Sequence, residues 1–238
     1  MRKLTLIAVA AVAAAMIGPA ASMAAVPATQ SMSVKVGSMK AGTAKKPASA
    51  GRLTVNLSTT PTVAAPAFAA TKAVVHFDKN MIFNKSKFAS CTLTQAQQHA
   101  AACAKAQVGS GQATAIVAAA GLNPTLKATA YNGPGASLWL RVQQPQLAID
   151  SILHGKMGGD TGAYGKKLTV TIPANLQQPL PGMYSTLTSM TVSISKVAKG
   201  VPYVALKGCT GGKLKFGSQV SFTDGSSLSA ATTAKCHA

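Results

Sequence analysis

The chain has 238 residues and a formal net charge of +19, from 23 Lys or Arg against only 4 acidic residues. All four acids are Asp (Asp78, Asp150, Asp160 and Asp224), with no Glu anywhere. The basic side is almost entirely Lys, which argues against a dedicated phosphate or base reader, since those use the guanidinium fork of Arg.

At the N-terminus, Arg2 and Lys3 precede an apolar stretch from Leu4 to Ile17. At about 14 residues this is shorter than the roughly 20 needed to span a bilayer. Gly18 and Pro19 end it, and Ser22-Met23-Ala24 puts small residues at the −3 and −1 positions of a cleavage site. Residues 1–24 therefore read as a cleavable secretory signal peptide, and the protein is expected to be secreted and extracellular or associated with the cell envelope. No later stretch reads as a transmembrane segment. Residues 25–31 are expected to be a disordered tail and 32–238 a single domain.

Period-two alternation dominates that domain. Met32-Val34-Val36 and Leu53-Val55-Leu57 come first, followed by Leu126-Ala128-Ala130 and Leu138-Leu140-Val142. The pattern returns in Leu168-Val170-Ile172, Met190-Val192-Ile194, Leu214-Phe216 and Val220-Phe222. Alternation with Ser, Thr and Lys outward predicts antiparallel strands with one wet face, hence an all-β antiparallel sandwich of about ten strands. Segments 38–51 and 59–71, rich in Ala, Ser, Thr, Pro and Gly, read as long loops. Asp224-Gly225 suits a type I′ hairpin, and Asn132-Gly133-Pro134-Gly135 marks another turn. Val108-Gly109-Ser110-Gly111 reads as a Gly-rich turn leading into a strand.

One segment departs from alternation. Thr92-Leu93-Thr94-Gln95 matches a capping box, which predicts a short helix from about Leu93. The four cysteines, Cys91, Cys103, Cys209 and Cys236, read as two disulfides in an exported chain. Sequence proximity favours 91–103 and 209–236 among three pairings. A straight helix from 91 to 103 would rise about 18 Å, too far for a disulfide, so the chain must fold back there. No cysteine pair has zinc spacing, and no metal site or cofactor is expected.

His76-Phe77-Asp78 through Asn84, then Cys91, Cys103 and Val108-Gly109-Ser110-Gly111, form one recognisable layout. Cys209-Thr210-Gly211-Gly212-Lys213-Leu214, Asp224-Gly225 and Cys236 complete it. It resembles a group of uncharacterised secreted β-sandwich proteins of soil actinobacteria with no established activity. The resemblance implies an exported, disulfide-bearing β domain and assigns no functional residue. Gln97 to Ala102 stands where the group carries Gly or Pro between its two central cysteines.

Candidate chemistry is sparse. His76 and Asp78 fall on one strand face, as a catalytic pair or a surface pair. Gly158-Gly159-Asp160-Thr161-Gly162 is an anion or calcium cradle or a flexible loop. No Gly-x-Ser-x-Gly elbow occurs, and no catalytic residue is assigned. Trp139 lies opposite Leu138 and Leu140, which makes Trp139, Arg141 and Tyr131 a candidate contact surface unless a loop covers it. Lys35, Lys40, Lys45 and Lys46 are candidates for weak contact with anionic envelope or extracellular polymers. The leading expectation is thus a non-catalytic binding or structural protein of the envelope. The alternative is a carrier of a lipid or other small hydrophobic ligand, and the third is an unrecognised hydrolase. A large apolar pocket would favour the carrier.

Overall fold

The computed structural model describes residues 26–37, 41–98 and 101–237. The expected signal peptide and Lys40 lie outside the described residues.

The protein is all-β and antiparallel, as the alternation predicts. Its strands in chain order are β1 (Ala28–Val36), β2 (Ala48–Ser49), β3 (Leu53–Pro61), β4 (Ala70–Asp78), β5 (Met81–Phe83), β6 (Gln107–Ile116), β7 (Thr125–Asn132) and β8 (Ser137–Gln144). There follow β9 (Ile149–Gly159), β10 (Tyr164–Thr171), β11 (Thr186–Ile194), β12 (Val197–Ala198), β13 (Val201–Pro202), β14 (Val204–Leu206), β15 (Lys213–Phe222) and β16 (Ser227–Lys235). Three short helices interrupt them: α1 (Leu93–Gln97), α2 (Ala101–Ala106) and α3 (Ala174–Gln177).

Eleven strands form one sheet in the order β1-β3-β11-β6-β7-β8-β9-β10-β4-β15-β16. The edge strands β1 and β16 run alongside each other, so the sheet curls nearly into a barrel. The two layers of the expected sandwich are opposite walls of this one sheet. Inward positions are the predicted apolar ones: Leu53, Leu138, Leu140, Val142, Val170 and Phe216 are buried in a single core.

Several local expectations are corrected. Residues 28–31 are strand rather than tail, because the first four residues of β1 pair with the end of β3, from Ala28↔Pro61 to Ser31↔Ser58. The same pairing extends β3 to Pro61, shortening the expected 59–71 loop from its start, and β4 shortens it from its end. Val108-Gly109-Ser110-Gly111 lies within β6, not in a turn. Its glycines are needed because a Cβ at Gly109 or Gly111 would strike the backbone carbonyl of Ser193 or Thr191 on β11. The hairpin at Asp224-Gly225 has positive φ at Gly225 but not at Asp224, so it is not type I′. Asp224 instead accepts from the Ser226 amide at 2.9 Å.

Antiparallel order sorts the connections into two groups. Segments 62–69, 117–124, 145–148, 172–185 and 223–226 emerge at one end, where Asp224 is their only charged residue. This is the apolar end. Segments 37–52, 79–106, 133–136, 160–163 and 195–212 emerge at the other, the basic end, and carry Lys45, Lys46, Lys79, Lys196, Lys199 and Lys207 among others. There, β2, β14 and β5 form a small three-stranded sheet whose buried Leu206, Ala205 and Met81 cover the barrel. Cys209–Cys236 ties this cover to the end of β16, with Cα atoms 5.8 Å apart.

Candidate functional site

The interior of the barrel is incompletely filled. A cavity of about 160 Å³ runs between its walls. Leu53, Val55 and Leu57 line it from β3, Met190, Val192 and Ile194 from β11, and Leu138, Leu140 and Val142 from β8. Inward apolar side chains of β3 and β11, including Val55, Leu57 and Val192, retain accessible surface because no neighbour fills the space before them. The cause is geometric. Barrel diameter grows with strand number, and about eight strands already leave just enough room for side chains to fill. Here the sheet has eleven, and Ala70, Ala73, Ala113 and Ala115 stand at lining positions where larger residues would close the gap.

Polar groups in the lining gather toward the apolar end: Gln30, Thr59, Ser185 and Ser189. Gln30 and Thr59 are cross-strand partners on β1 and β3. The Thr59 hydroxyl donates to Gln30 Oε1 at 2.9 Å. Gln30 Nε2 is buried and has no hydrogen-bond partner. A buried amide donor without an acceptor costs about 1–3 kcal/mol. At the basic end, the buried Tyr203 lines the cavity and donates to Asn132 Oδ1 at 3.1 Å. Burial raises its hydroxyl well above the ordinary tyrosine range.

The cavity was not legible in the sequence because most of its lining consists of ordinary inward apolar residues. The available signal was the run of small residues at inward positions of β4 and β6.

The sequence-derived candidates lie elsewhere. Trp139 is on the outer face, as its phase requires, but is only 5% exposed. The predicted helix covers it: α1 carries the full capping box, with Thr92 Oγ1 accepting from the Gln95 amide and Gln95 Oε1 from the Thr92 amide. The chain then folds back into α2, and Cys91–Cys103 closes the turn with Cα atoms 5.2 Å apart. Trp139 Nε1 donates to the Cys91 carbonyl at 2.9 Å beneath this flap. Trp139 is therefore not a contact platform. Tyr131 is partly buried against it, and Arg141 is paired with Asp150 through Nε–Oδ1 at 2.8 Å. Lys35, Lys45 and Lys46 are exposed as expected.

His76 does pair with an aspartate, but with Asp160 and not Asp78. Desolvation pushes the Asp160 carboxyl up, while hydrogen bonds from His76 and the Thr161 amide outweigh it and hold the group below the ordinary carboxylate range. Asp78 instead accepts from the Asn80 and Lys215 amides, each at 2.8 Å, and fixes the turn after β4. The His76–Asp160 pair sits on the outer wall beside Tyr164, away from the cavity lining. Among the described residues, no cluster of three His, Cys, Asp or Glu is placed to hold a metal.

No family model, curated protein or solved structure matches the chain.

Proposed function

We propose that the protein is an exported, non-catalytic carrier that holds a small hydrophobic ligand inside its barrel. The observation that carries this reading is the apolar cavity of about 160 Å³, close to the roughly 150 Å³ of engineered apolar cavities that stay dry and take a benzene-sized guest. Its volume and apolar lining suit a small apolar group, such as a short alkyl segment. The unpartnered Gln30 amide adds a preference. A ligand with a carbonyl or carboxylate oxygen at the apolar end satisfies that donor, whereas a plain hydrocarbon leaves it unpaired.

The test is titration with the neutral reporter fluorobenzene, followed by fluorine NMR, and then displacement with a short methyl ketone and an alkane of equal length. The wild type is expected to bind the reporter and to release it at lower concentrations of ketone than of alkane. Gln30→Leu should erase a preference of about tenfold, the value of one hydrogen bond to a buried donor. Val192→Phe should block reporter binding and raise stability by about 1 kcal/mol, since it fills space worth about 24 cal/mol per Å³. Reporter binding unaffected by Val192→Phe would place the ligand outside the barrel and refute the carrier reading.

A second reading, weak binding of anionic polymers, is favoured by a separate observation: the lysine-bearing connections converge at one end of the molecule. The two readings concern opposite ends and are compatible.

A further inference from the structure

Six large apolar side chains are exposed among the described residues: Val63, Leu93, Leu122, Leu147, Leu180 and Val197. Four of them fall on four different connections at the apolar end. Val63 is in 62–69 (43% exposed), Leu122 in 117–124 (41%), Leu147 in 145–148 (39%) and Leu180 in 172–185 (51%). Their neighbours are uncharged and small or kinked, including Ala64, Ala65, Ala119, Ala120, Pro145 and Pro181. The only acid on these connections, Asp224, is engaged by Ser226 within its own turn. The same end holds the polar residues of the cavity lining, while the small sheet covers the other.

We infer that this apolar end docks on a lipid surface, from which the cavity takes its ligand or to which it delivers it. The inference rests on the carrier reading for its purpose but on a different observation for its evidence.

Charge and shape choose the occupant. Inserting the four loop tips into a headgroup region takes no Lys or Arg out of water, so the desolvation cost that bars charged loops is absent. An acidic protein partner would be drawn to the opposite end, where the lysines are. A second copy of the chain would need a continuous complementary face of about 800 Å² on each partner. Tips on four separate loops, divided by Gly121, Gln146 and Gln178, suit shallow insertion between lipids better than such a face. An apolar ligand also has little aqueous concentration, so a carrier that meets it at a membrane avoids the slow step of its escape into water.

The test uses the exported protein, its N-terminus read by sequencing, in flotation with phosphatidylcholine vesicles at roughly 50 and 300 mM salt. Binding is expected at both salt concentrations, because the contact is apolar. Leu122→Asp with Leu180→Asp should reduce it at least tenfold, while fluorobenzene binding stays unchanged, since neither residue lines the cavity. Three results would overturn the inference. One is no flotation with neutral vesicles. Another is flotation only with phosphatidylglycerol vesicles and its loss at high salt, which would assign the contact to the basic end. The third is a concentration-dependent dimer, seen by sedimentation and abolished by the same two substitutions, which would assign the loops to a second copy. Failure of the carrier reading is read separately, from the reporter titration with Val192→Phe.

Discussion

Lys85 is a half-buried ammonium whose neighbours are carbonyl oxygens instead of a carboxylate. Its Nζ donates to Asn132 Oδ1 and to the Ser137 carbonyl, each at 2.6 Å. Asn132 in turn donates to the Lys85 and Ala89 carbonyls, so the two side chains pin segment 84–91 against the β7–β8 turn. Burial lowers the Lys85 pKa from 10.5 to about 8. The sign of the resulting pH dependence follows directly. Between those values the unfolded chain holds a proton that the folded chain has lost, so stability rises with pH across that window. Tyr203, whose hydroxyl is raised by burial, acts in the opposite sense once unfolded tyrosines ionise near pH 10. Denaturant unfolding is therefore expected to show stability climbing from about pH 8 to a maximum near pH 10. Lys85→Met should flatten the climb, since the titrating group is gone while the Ser137 carbonyl keeps the Gly133 amide and Asn132 Oδ1 keeps the Tyr203 hydroxyl as donors. Flat wild-type stability from pH 8 to 10 would show that the Asn132 and Ser137 oxygens favour the ammonium as much as burial disfavours it.

Among the elements, the helical flap over Trp139 illustrates how a local signal becomes a tertiary one. The Thr92–Gln95 box starts α1, the disulfide returns the chain, and Ala96, Cys103 and Ala106 pack on the indole. Replacing both Cys91 and Cys103 with Ser should cost about 3 kcal/mol, the usual effect of a short disulfide loop. Trp139 is the chain's one Trp, so all tryptophan emission comes from the indole beneath the flap. It should shift to the red while the strand signal in circular dichroism persists. Unchanged emission would mean that the indole hydrogen bond and apolar packing hold the flap unaided. The phase of Trp139 was legible because Leu138, Leu140 and Val142 are large and alternate strictly. Its cover was not, since a helix of five residues leaves no amphipathic stripe that names its target. The strands divide in the same way. β1, β3, β8 and β11 were legible from big inward side chains. β6 and β16 were not, because their inward positions are mostly Ala, Gly or Thr, such as Ala113, Ala230 and Thr232, and in β9 the inward Leu153 and Met157 are interrupted by Ser151 and Gly155. Those small residues hid strands in the sequence, and those of β6 also leave the cavity in the fold.

At the scale of the whole molecule, one barrel separates two kinds of surface. Antiparallel connectivity sends alternate loops to alternate ends, so a sequence that keeps Lys out of every second connection builds a molecule with one basic end and one end whose connections carry no Lys or Arg. On the second reading proposed above, the basic end would attract polyanions by a field and not by a shaped site, because its cations are Lys on mobile stems, without the paired guanidinium groups that would fix a phosphate. Binding to heparin should therefore be weak, should weaken steeply from roughly 50 to 300 mM salt, and should extend to unrelated polyanions such as DNA without sequence preference. Neutralising Lys45 and Lys46 should lower heparin affinity, and adding Lys196→Gln and Lys199→Gln should lower it further in graded steps. Lys72→Gln with Lys127→Gln, two changes on strands close to the apolar end, should leave it nearly unchanged. Equal losses from both sets would show that net charge alone sets the affinity and that the basic end has no separate role. Salt-insensitive binding to a single polymer would require a specific site among these lysines. Under the two-ended reading, heparin and neutral vesicles should bind the same molecule together, since they occupy opposite ends. Competition between them would place both contacts on one surface and remove the division of labour that the loop charges imply.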